Sequence, residues 1–277
     1  DVLVQKLQML AHKLFRADNM MISYTAAKEG LNGMEELVEG LKKAMFEDPV
    51  EDTRCVLHCE MKNEGFKTAS KVQYVARVGN FIDNGADYTG ALQILKVILS
   101  YDYLWQNIRV KGGAYGCMSG FSRTGEGYFV SYRDPNLGRT LEIYDGVPEY
   151  LENFTVSERD MTKYIIGTIS NKDVPRTPQM QGSISKTAYF SNVTEDMLQP
   201  MTPATKGDRS MNLYMNHVSA EMIRKEREQI LTANQEDIRA LAGVARAVLA
   251  NDQICVIGNE AKIEEEKELF VTVENLF

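Results

Sequence analysis

Histidine is scarce in this chain of 277 residues, where it occurs three times, at His12, His58 and His217. The sequence contains neither His-Glu-x-x-His nor the inverted His-x-x-Glu-His. These are the arrangements in which two histidines on one helix hold a catalytic zinc ion. Gly-x-Ser-x-Gly, the motif of a serine nucleophile on a sharp turn, is also absent. The chain by itself therefore lacks the motifs of a zincin-type centre and of an α/β-hydrolase.

Cysteine is rare as well, and its four copies, Cys55, Cys59, Cys117 and Cys255, are scattered. Cys55, His58 and Cys59 are metal-ligand types, but a tetrahedral zinc site needs a fourth ligand and usually a second paired cluster. Neither is present, so we interpret the cluster as a coincidence and expect no metal site in this chain. A chain of this length does not need disulfides. We expect a reducing compartment, the bacterial cytoplasm, with an organelle matrix as the alternative.

Long apolar runs and an excess of positive charge are both missing. No run approaches the roughly 18 apolar residues that cross a bilayer, and the start lacks the basic-then-apolar order of a signal peptide. Lys and Arg number 31 against 39 Asp and Glu, which gives a formal net charge of −8. Such a surface is unsuited to nucleic-acid phosphates. We therefore expect neither a membrane nor a nucleic acid as a partner.

Residues 1–65 have the pattern of the end of an α/β unit followed by a linker. An amphipathic helix is predicted over residues 1–14, a strand over 20–26 and a helix over 31–46. The chain begins with Asp1 in the middle of this pattern, so we expect a fragment or a processed chain. A polar stretch from residue 47 to about 70, with a short strand or helix at 54–62, predicts a domain boundary. We divide the chain into residues 1–65 and 66–277.

Residues 66–277 predict strands alternating with long helical stretches. A strand is predicted over 72–79, then a helix over 88–109 with Asp87 as its N-cap. The apolar spacing predicts that one face of this helix is buried through Leu92, Leu95, Leu99, Trp105 and Ile108. Residues 114–122 and 127–134 predict a β-hairpin, followed by helices from Pro135 until a last strand over 251–259. This order predicts an α+β fold, one sheet with helices on one face.

An arginine and a tyrosine six residues apart flank a glycine pair between the long helix and the hairpin. The Arg109 guanidinium offers five donors that fit carboxylate or carbonyl oxygens, and the Tyr115 phenol can donate to an oxygen that gains charge. Small residues between them would let both side chains reach one cleft. Arg109 could instead cap the helix C-terminus, and Tyr115 could be an aromatic residue at the edge of the core. The pattern alone leaves both interpretations open.

The motifs Arg-Val-Lys-Gly-Gly-Ala-Tyr-Gly, starting at Arg109, and Ser-Tyr-Arg-Asp-Pro-Asn, starting at Ser131, resemble a known family. They are similar to the C-terminal half of insulinase/pitrilysin-like zinc peptidases, in particular the presequence-protease branch. The resemblance covers residues 70–277, and residues 1–46 look like the tail of a preceding homologous domain. It implies a mixed β-sheet covered by helices on one face. In that family two halves close around a peptide, and the N-terminal half binds zinc.

The resemblance implies that Arg109 and Tyr115 act in catalysis and that both bind substrate together with Gly113. Arg109 would hold backbone or carboxylate oxygens, and Tyr115 would hydrogen-bond the carbonyl oxygen during attack by water. Since the zinc motif is missing here, the chain is predicted to be the C-terminal part of a zinc endopeptidase, inactive alone. Its partners would be the N-terminal half and short unstructured peptides. The alternatives are a non-catalytic scaffold or substrate-binding subunit of the same fold, and an unrelated α+β binding module.

Overall fold

The computed structural model describes residues 2–23, 32–49, 60–170, 177–179, 182–183 and 203–276. Contacts divide the chain into two compact units, Asp1–His58 with Arg176–Ser219 and Cys59–Pro175 with Ala220–Phe277. The second unit contains every strand of the sheet described below. The proposed boundary at residue 65 and the homology of residues 1–65 to a preceding domain stay predictions.

Helices make up most of the described chain. In chain order they are α1 (Val2–Leu14), α2 (Met34–Lys43), α3 (Ala91–Ile98), α4 (Gly138–Asp145), α5 (Val147–Glu152), α6 (Glu158–Ser170), α7 (Pro203–Met215), α8 (Ala220–Leu231), α9 (Gln235–Ala240), α10 (Ala242–Leu249) and α11 (Glu260–Glu265). Within the described ranges, no helix combines the length and the apolar character that crossing a bilayer requires.

One mixed sheet organises the second unit. Its strands are β1 (Glu64–Thr68), β2 (Gln73–Asn80), β3 (Gly116–Phe121), β4 (Glu126–Asp134), β5 (Gln253–Asn259) and β6 (Thr272–Asn275). They lie in the order β3-β4-β2-β5-β1-β6. Strand β1 runs parallel to β5 and β6, and the other neighbours are antiparallel. The predicted α+β fold with a mixed sheet is confirmed.

Helices cover one face of the sheet because the strands alternate between buried and exposed side chains. In β2, Val75 is buried and its neighbour Tyr74 is exposed. The buried face packs against α3 and α10 through a core that includes Leu92, Phe129 and Val248. The opposite face carries partly exposed apolar side chains, namely Tyr74, Val78, Met118, Tyr128 and Ile257.

Two glycines of β3 lie beneath tyrosine rings of β4 on the uncovered face. Gly116 pairs with Tyr132, and Gly120 pairs with Tyr128. A Cβ atom on Gly116 would lie 2.4 Å from the Tyr132 ring, and one on Gly120 would lie 2.5 Å from the Tyr128 ring. Only a residue without a side chain lets each ring cover the neighbouring strand this closely.

The predicted strands of the second unit are found as β2, the β3–β4 hairpin and β5, and the helix over residues 31–46 is found as α2. Strands β1 and β6 were not predicted. Of the predicted strand over 20–26, residues 20–23 have no regular structure and the rest lie outside the described residues. The element at 54–62 likewise lies outside up to residue 59, as do the ligand types Cys55, His58 and Cys59.

The helix predicted over residues 88–109 is interrupted. It begins as α3 at Ala91, with Gly90 as the N-cap and no side-chain cap, so the prediction of Asp87 as N-cap is wrong. The Gly90 N–H donates instead to Gln229 Oε1 of α8 at 2.8 Å. After α3 the chain continues as two π-helical segments, Leu99–Tyr103 and Trp105–Val110. Leu92, Leu95, Leu99 and Ile108 are buried as predicted, whereas Trp105 is 38% exposed.

Helix α10 approaches the sheet most closely at a glycine of β2. A Cβ atom on Gly79 would lie 2.0 Å from the Val248 carbonyl oxygen, so only glycine leaves room for the helix backbone. By contrast, a Cβ atom on Gly243, within α10 itself, would meet nothing within 4 Å. An added methyl group would therefore clash with the helix backbone at Gly79 and fit without a clash at Gly243.

We expect Gly79→Ala to lower the free energy of unfolding by about 1–3 kcal/mol, because the added methyl group must displace α10 from the sheet. Gly243→Ala is the matched control, and it should raise stability by up to about 1 kcal/mol through its higher helix propensity. Urea unfolding followed by circular dichroism measures both values. Equal stability of the two variants would contradict the close packing of α10 on β2.

Candidate functional site

Arg109 lies near the end of the second π-helical segment. Its guanidinium carbon lies 4.6 Å from the centroid of the Trp105 ring and 5.6 Å from that of Tyr115. Such distances are those of cation–π contacts. Short π-helical segments within helices occur often at functional sites. The π-helical winding thus brings Arg109 next to two aromatic rings on the surface.

The glycine pair turns the chain from this helix towards β3. Gly113 has φ +79°, in the left-handed region that favours glycine. Its N–H donates to the Arg109 carbonyl at 3.0 Å, and the Ala114 N–H donates to the Ile108 carbonyl at 3.1 Å. A Cβ atom on Gly112 would lie 2.4 Å from the same Ile108 oxygen. Both glycines are therefore needed for a turn this tight.

Tyr115 follows the turn and lies near two guanidinium groups. Its side chain is 58% exposed, so it is not a core aromatic residue. Its ring centroid lies 5.6 Å from the Arg109 guanidinium carbon and 5.4 Å from that of Arg133. Its backbone N–H donates to the Arg133 carbonyl at 3.3 Å, and its ring lies 5.5 Å from that of Tyr132.

Arg133 reaches this position because β4 contains an extra residue. Val75 of β2 pairs with Ser131, but Gln73 pairs with Asp134, so three steps along β4 match two along β2. The irregularity is a β-bulge, which re-aims side chains and is common beside active sites. Arg133 has φ +48°, which is uncommon for a residue with a side chain. As a result Asp134 is fully buried and Arg133 is exposed beside Tyr115.

The residues after Arg133 stabilise the glycine turn through hydrogen bonds. Asn136 Nδ2 donates to the Gly112 carbonyl at 2.7 Å. The Asp134 carboxylate accepts from the Asn136 backbone N–H at 2.9 Å and from Thr140 Oγ1 at 2.7 Å. The second sequence motif thus holds the first in place through hydrogen bonds. The sequence alone suggested no such contact, since 24 positions separate Asn136 from Gly112.

Arg109, Gly113 and Tyr115, the three site residues predicted from the sequence, line one open pocket of about 500 Å³. Trp105, Val110, Ala114 and Arg133 complete its lining, so the pocket carries two cations and no carboxylate. Among the residues that the structure describes, the Arg109 guanidinium and the Tyr115 hydroxyl have no hydrogen-bond partner, so Arg109 does not cap its helix. Donors left free in a pocket can bind oxygen atoms of a ligand.

The thiol of Cys117, two residues after Tyr115, is unsuited to nucleophilic chemistry, and the described residues offer no cluster of metal ligands. Burial raises the pKa of the Cys117 thiol to about 11, and the charge of Asp134 adds to the increase, so the nucleophilic thiolate is rare at neutral pH. Within the described part of the chain, no three His, Cys, Asp or Glu side chains are grouped so that they could hold a metal ion. The residues that the structure describes therefore do not fit a zinc site.

Comparisons with known proteins show the family of this chain. Residues 63–201 match the family described as the PreP C-terminal domain. The chain therefore belongs to the PreP C-terminal domain family, and the predicted resemblance to the C-terminal portion of presequence-protease-like peptidases is confirmed.

Two curated relatives align over nearly the whole chain. Protein HypA of Clostridium perfringens is 41% identical over 95% of this chain and 24% of its own length. Presequence protease 1, chloroplastic/mitochondrial, of Arabidopsis thaliana is 29% identical over 92% of this chain and 22% of its own length. The chain thus spans about a quarter of these relatives.

A solved structure of a peptidase M16 inactive domain from Pseudomonas fluorescens has a similar fold. Its TM-score is 0.50 at 13% sequence identity, over 84% of this chain and 50% of that one. At this identity the likeness concerns the fold alone, and it agrees with the mixed sheet and its helical cover.

We expect Gly113→Ala to lower the free energy of unfolding by about 1–2 kcal/mol, because alanine is strained at φ +79°. A Cβ atom there would meet only Pro135 Cγ, at 3.7 Å, so the loss would come from the backbone. Gly113→Asn is the matched control, since asparagine tolerates the left-handed region better. Chemical denaturation measures both, and an equal loss in the two variants would contradict a backbone cause.

Proposed function

We propose that this chain is the C-terminal part of a zinc-dependent endopeptidase that degrades short unstructured peptides in an enclosed chamber. The observation that carries the proposal is the pocket in which Arg109 and Tyr115 leave their donors free. Membership of the PreP C-terminal domain family supports a role in a peptidase. Catalysis by hydrogen-bond donors needs them to be placed before the substrate arrives, and the position of Arg109 and Tyr115 in one pocket supports such a role.

Tyr115 would donate a hydrogen bond to the carbonyl oxygen of the scissile peptide bond as this oxygen gains negative charge. A phenol suits the task because it donates from the end of a rigid ring, and the ring is held by Arg109, Arg133 and Tyr132. Arg109 would bind a backbone carbonyl of the substrate through its fixed donors. Gly113 would let the peptide backbone approach closely, because it presents no side chain to the pocket.

The zinc ion would be bound by an N-terminal half of the same protein, which is the partner that this chain needs. Residues 1–65 would then be the tail of the domain that precedes the C-terminal domain, residues 66–277. The chain alone would be inactive. A bacterial cytoplasm suits this enzyme, with an organelle matrix as the alternative. In the competing function, a non-catalytic scaffold or substrate-binding subunit, the free donors would bind peptides without assisting their hydrolysis.

We expect peptide hydrolysis only after the chain is mixed with the separately expressed zinc-binding half. The assay follows cleavage of an unstructured fluorogenic peptide by each half alone and by the mixture. A chelator should abolish the activity, and added zinc should restore it. Chelator-sensitive hydrolysis by this chain alone would contradict the proposed division of the site. A folded but inactive mixture would favour the scaffold function.

We expect Tyr115→Phe to lower kcat by about 100-fold or more in the full-length enzyme, the usual effect of removing one donor to a developing oxyanion. The ring and its contacts stay, so the melting temperature should not change. Tyr128→Phe is the matched control, because Tyr128 is also an exposed tyrosine but does not line the pocket. An unchanged kcat in Tyr115→Phe would contradict the catalytic role.

A further inference from the structure

Arg133 is the second guanidinium of the pocket, and the sequence analysis assigned it no role. It lies on the strand that follows the hairpin turn, whereas Arg109 lies on the helix that precedes the hairpin. The two reach the same ring from different elements, at 5.4 Å and 5.6 Å. The second cation is presented at this position by the β-bulge in β4 and by the left-handed backbone conformation of Arg133.

Two other arginines of the second unit form ion pairs with little exposure of the guanidinium. Arg77 pairs with Asp145 and Asp252, at 3.2 Å and 3.0 Å. Arg123 pairs with Glu226 of α8. These two arginines have their counter-charges within the fold.

Arg133 has no such counter-charge among the described residues. It has cation–π contact with Tyr115, but neither an ion pair nor a side-chain hydrogen bond. The nearest carboxylate along the chain, Asp134, is buried and accepts hydrogen bonds from Asn136 and Thr140. A guanidinium held over an aromatic ring keeps the forked donors that match a carboxylate. In the pocket these donors are available to an anionic ligand.

We propose that Arg133 is a specificity-determining residue that binds a carboxylate of the peptide substrate. Arg109 would remain available for backbone oxygens of the substrate. The two arginines would then bind different parts of the same peptide. The inference rests on the proposed function of the pocket as a peptide site. The carboxylate has two sources in peptides, the C-terminus and the side chains of Asp and Glu. Both offer the same two oxygens to the guanidinium.

The test uses the full-length protein and two pairs of otherwise identical peptides. One pair differs by a free or an amidated C-terminus, and the other by Glu or Gln on the C-terminal side of the cleaved bond. We expect the wild type to prefer the acidic member of one pair by about tenfold in kcat/KM, mainly through KM, as for one charged hydrogen bond. Which pair responds identifies the source of the carboxylate.

In Arg133→Gln the ratio of kcat/KM between the acidic and the neutral peptide of the responding pair should fall to about one, and Arg133→Lys should retain part of the preference. Arg139→Gln is the matched control, since this exposed arginine of α4 makes the same charge change without lining the pocket. Melting temperatures identify variants that fail to fold. A preference that survives in Arg133→Gln, or its absence for both pairs in the wild type, would overturn the assignment.

A binding measurement separates this inference from the proposed function. Fluorescence anisotropy gives the Kd of the same labelled peptides for the full-length protein after zinc removal, when hydrolysis cannot interfere. The expected result is weaker binding of the neutral member, by about tenfold, in the wild type and not in Arg133→Gln. Tight, carboxylate-dependent binding without any hydrolysis by the zinc-loaded protein would retain the role of Arg133 and refute the peptidase. Hydrolysis without carboxylate dependence would retain the peptidase and refute the role of Arg133.

Discussion

The hydrogen bond from Asn136 to the Gly112 carbonyl joins the two chain segments from which the pocket is built. One segment is the π-helix with its glycine turn, and the other is the end of β4. Without this bond, the turn would present an unsatisfied carbonyl, and Tyr115 would be tied to β4 chiefly by its own backbone contact to Arg133. Because the buried Asp134 carboxylate accepts from the Asn136 backbone N–H, it helps to determine where the free donors lie.

The sheet holds the pocket in place on one side and leaves it open to solvent on the other. Helices bury one face, so β3 and β4 are held by the core through residues such as Phe129. The other face has no helical cover within the described residues, and its glycine–tyrosine pairs keep the rings flat against the strands. Rigid placement of polar groups at the edge of a well-packed scaffold is what electrostatic catalysis and specific binding both require.

The sequence predicted the fold where local patterns dominate. Strands β2 and β5 and the hairpin follow from local patterns, and they appear as expected. Strand β1, Glu-Gly-Phe-Lys-Thr, has little alternation and forms only because β5 and β6 pair with it in parallel. Trp105 was misplaced because π-helical winding changes the angle between successive residues, so beyond Leu99 the 3.6-residue period places Ile108 correctly but not Trp105. Arg133 was missed because a bulge depends on register against a distant strand.

The bulge also links the number of residues in β4 to what the strand presents to solvent. Side chains alternate along a regular strand, and Ser131 and Asp134, which pair with Val75 and Gln73, are both buried. The extra residue therefore places two side chains, Tyr132 and Arg133, between two inward positions where a regular strand would have one. A homologue that shortened this strand by one residue would keep the buried carboxylate but would retain only one of these two side chains beside Tyr115.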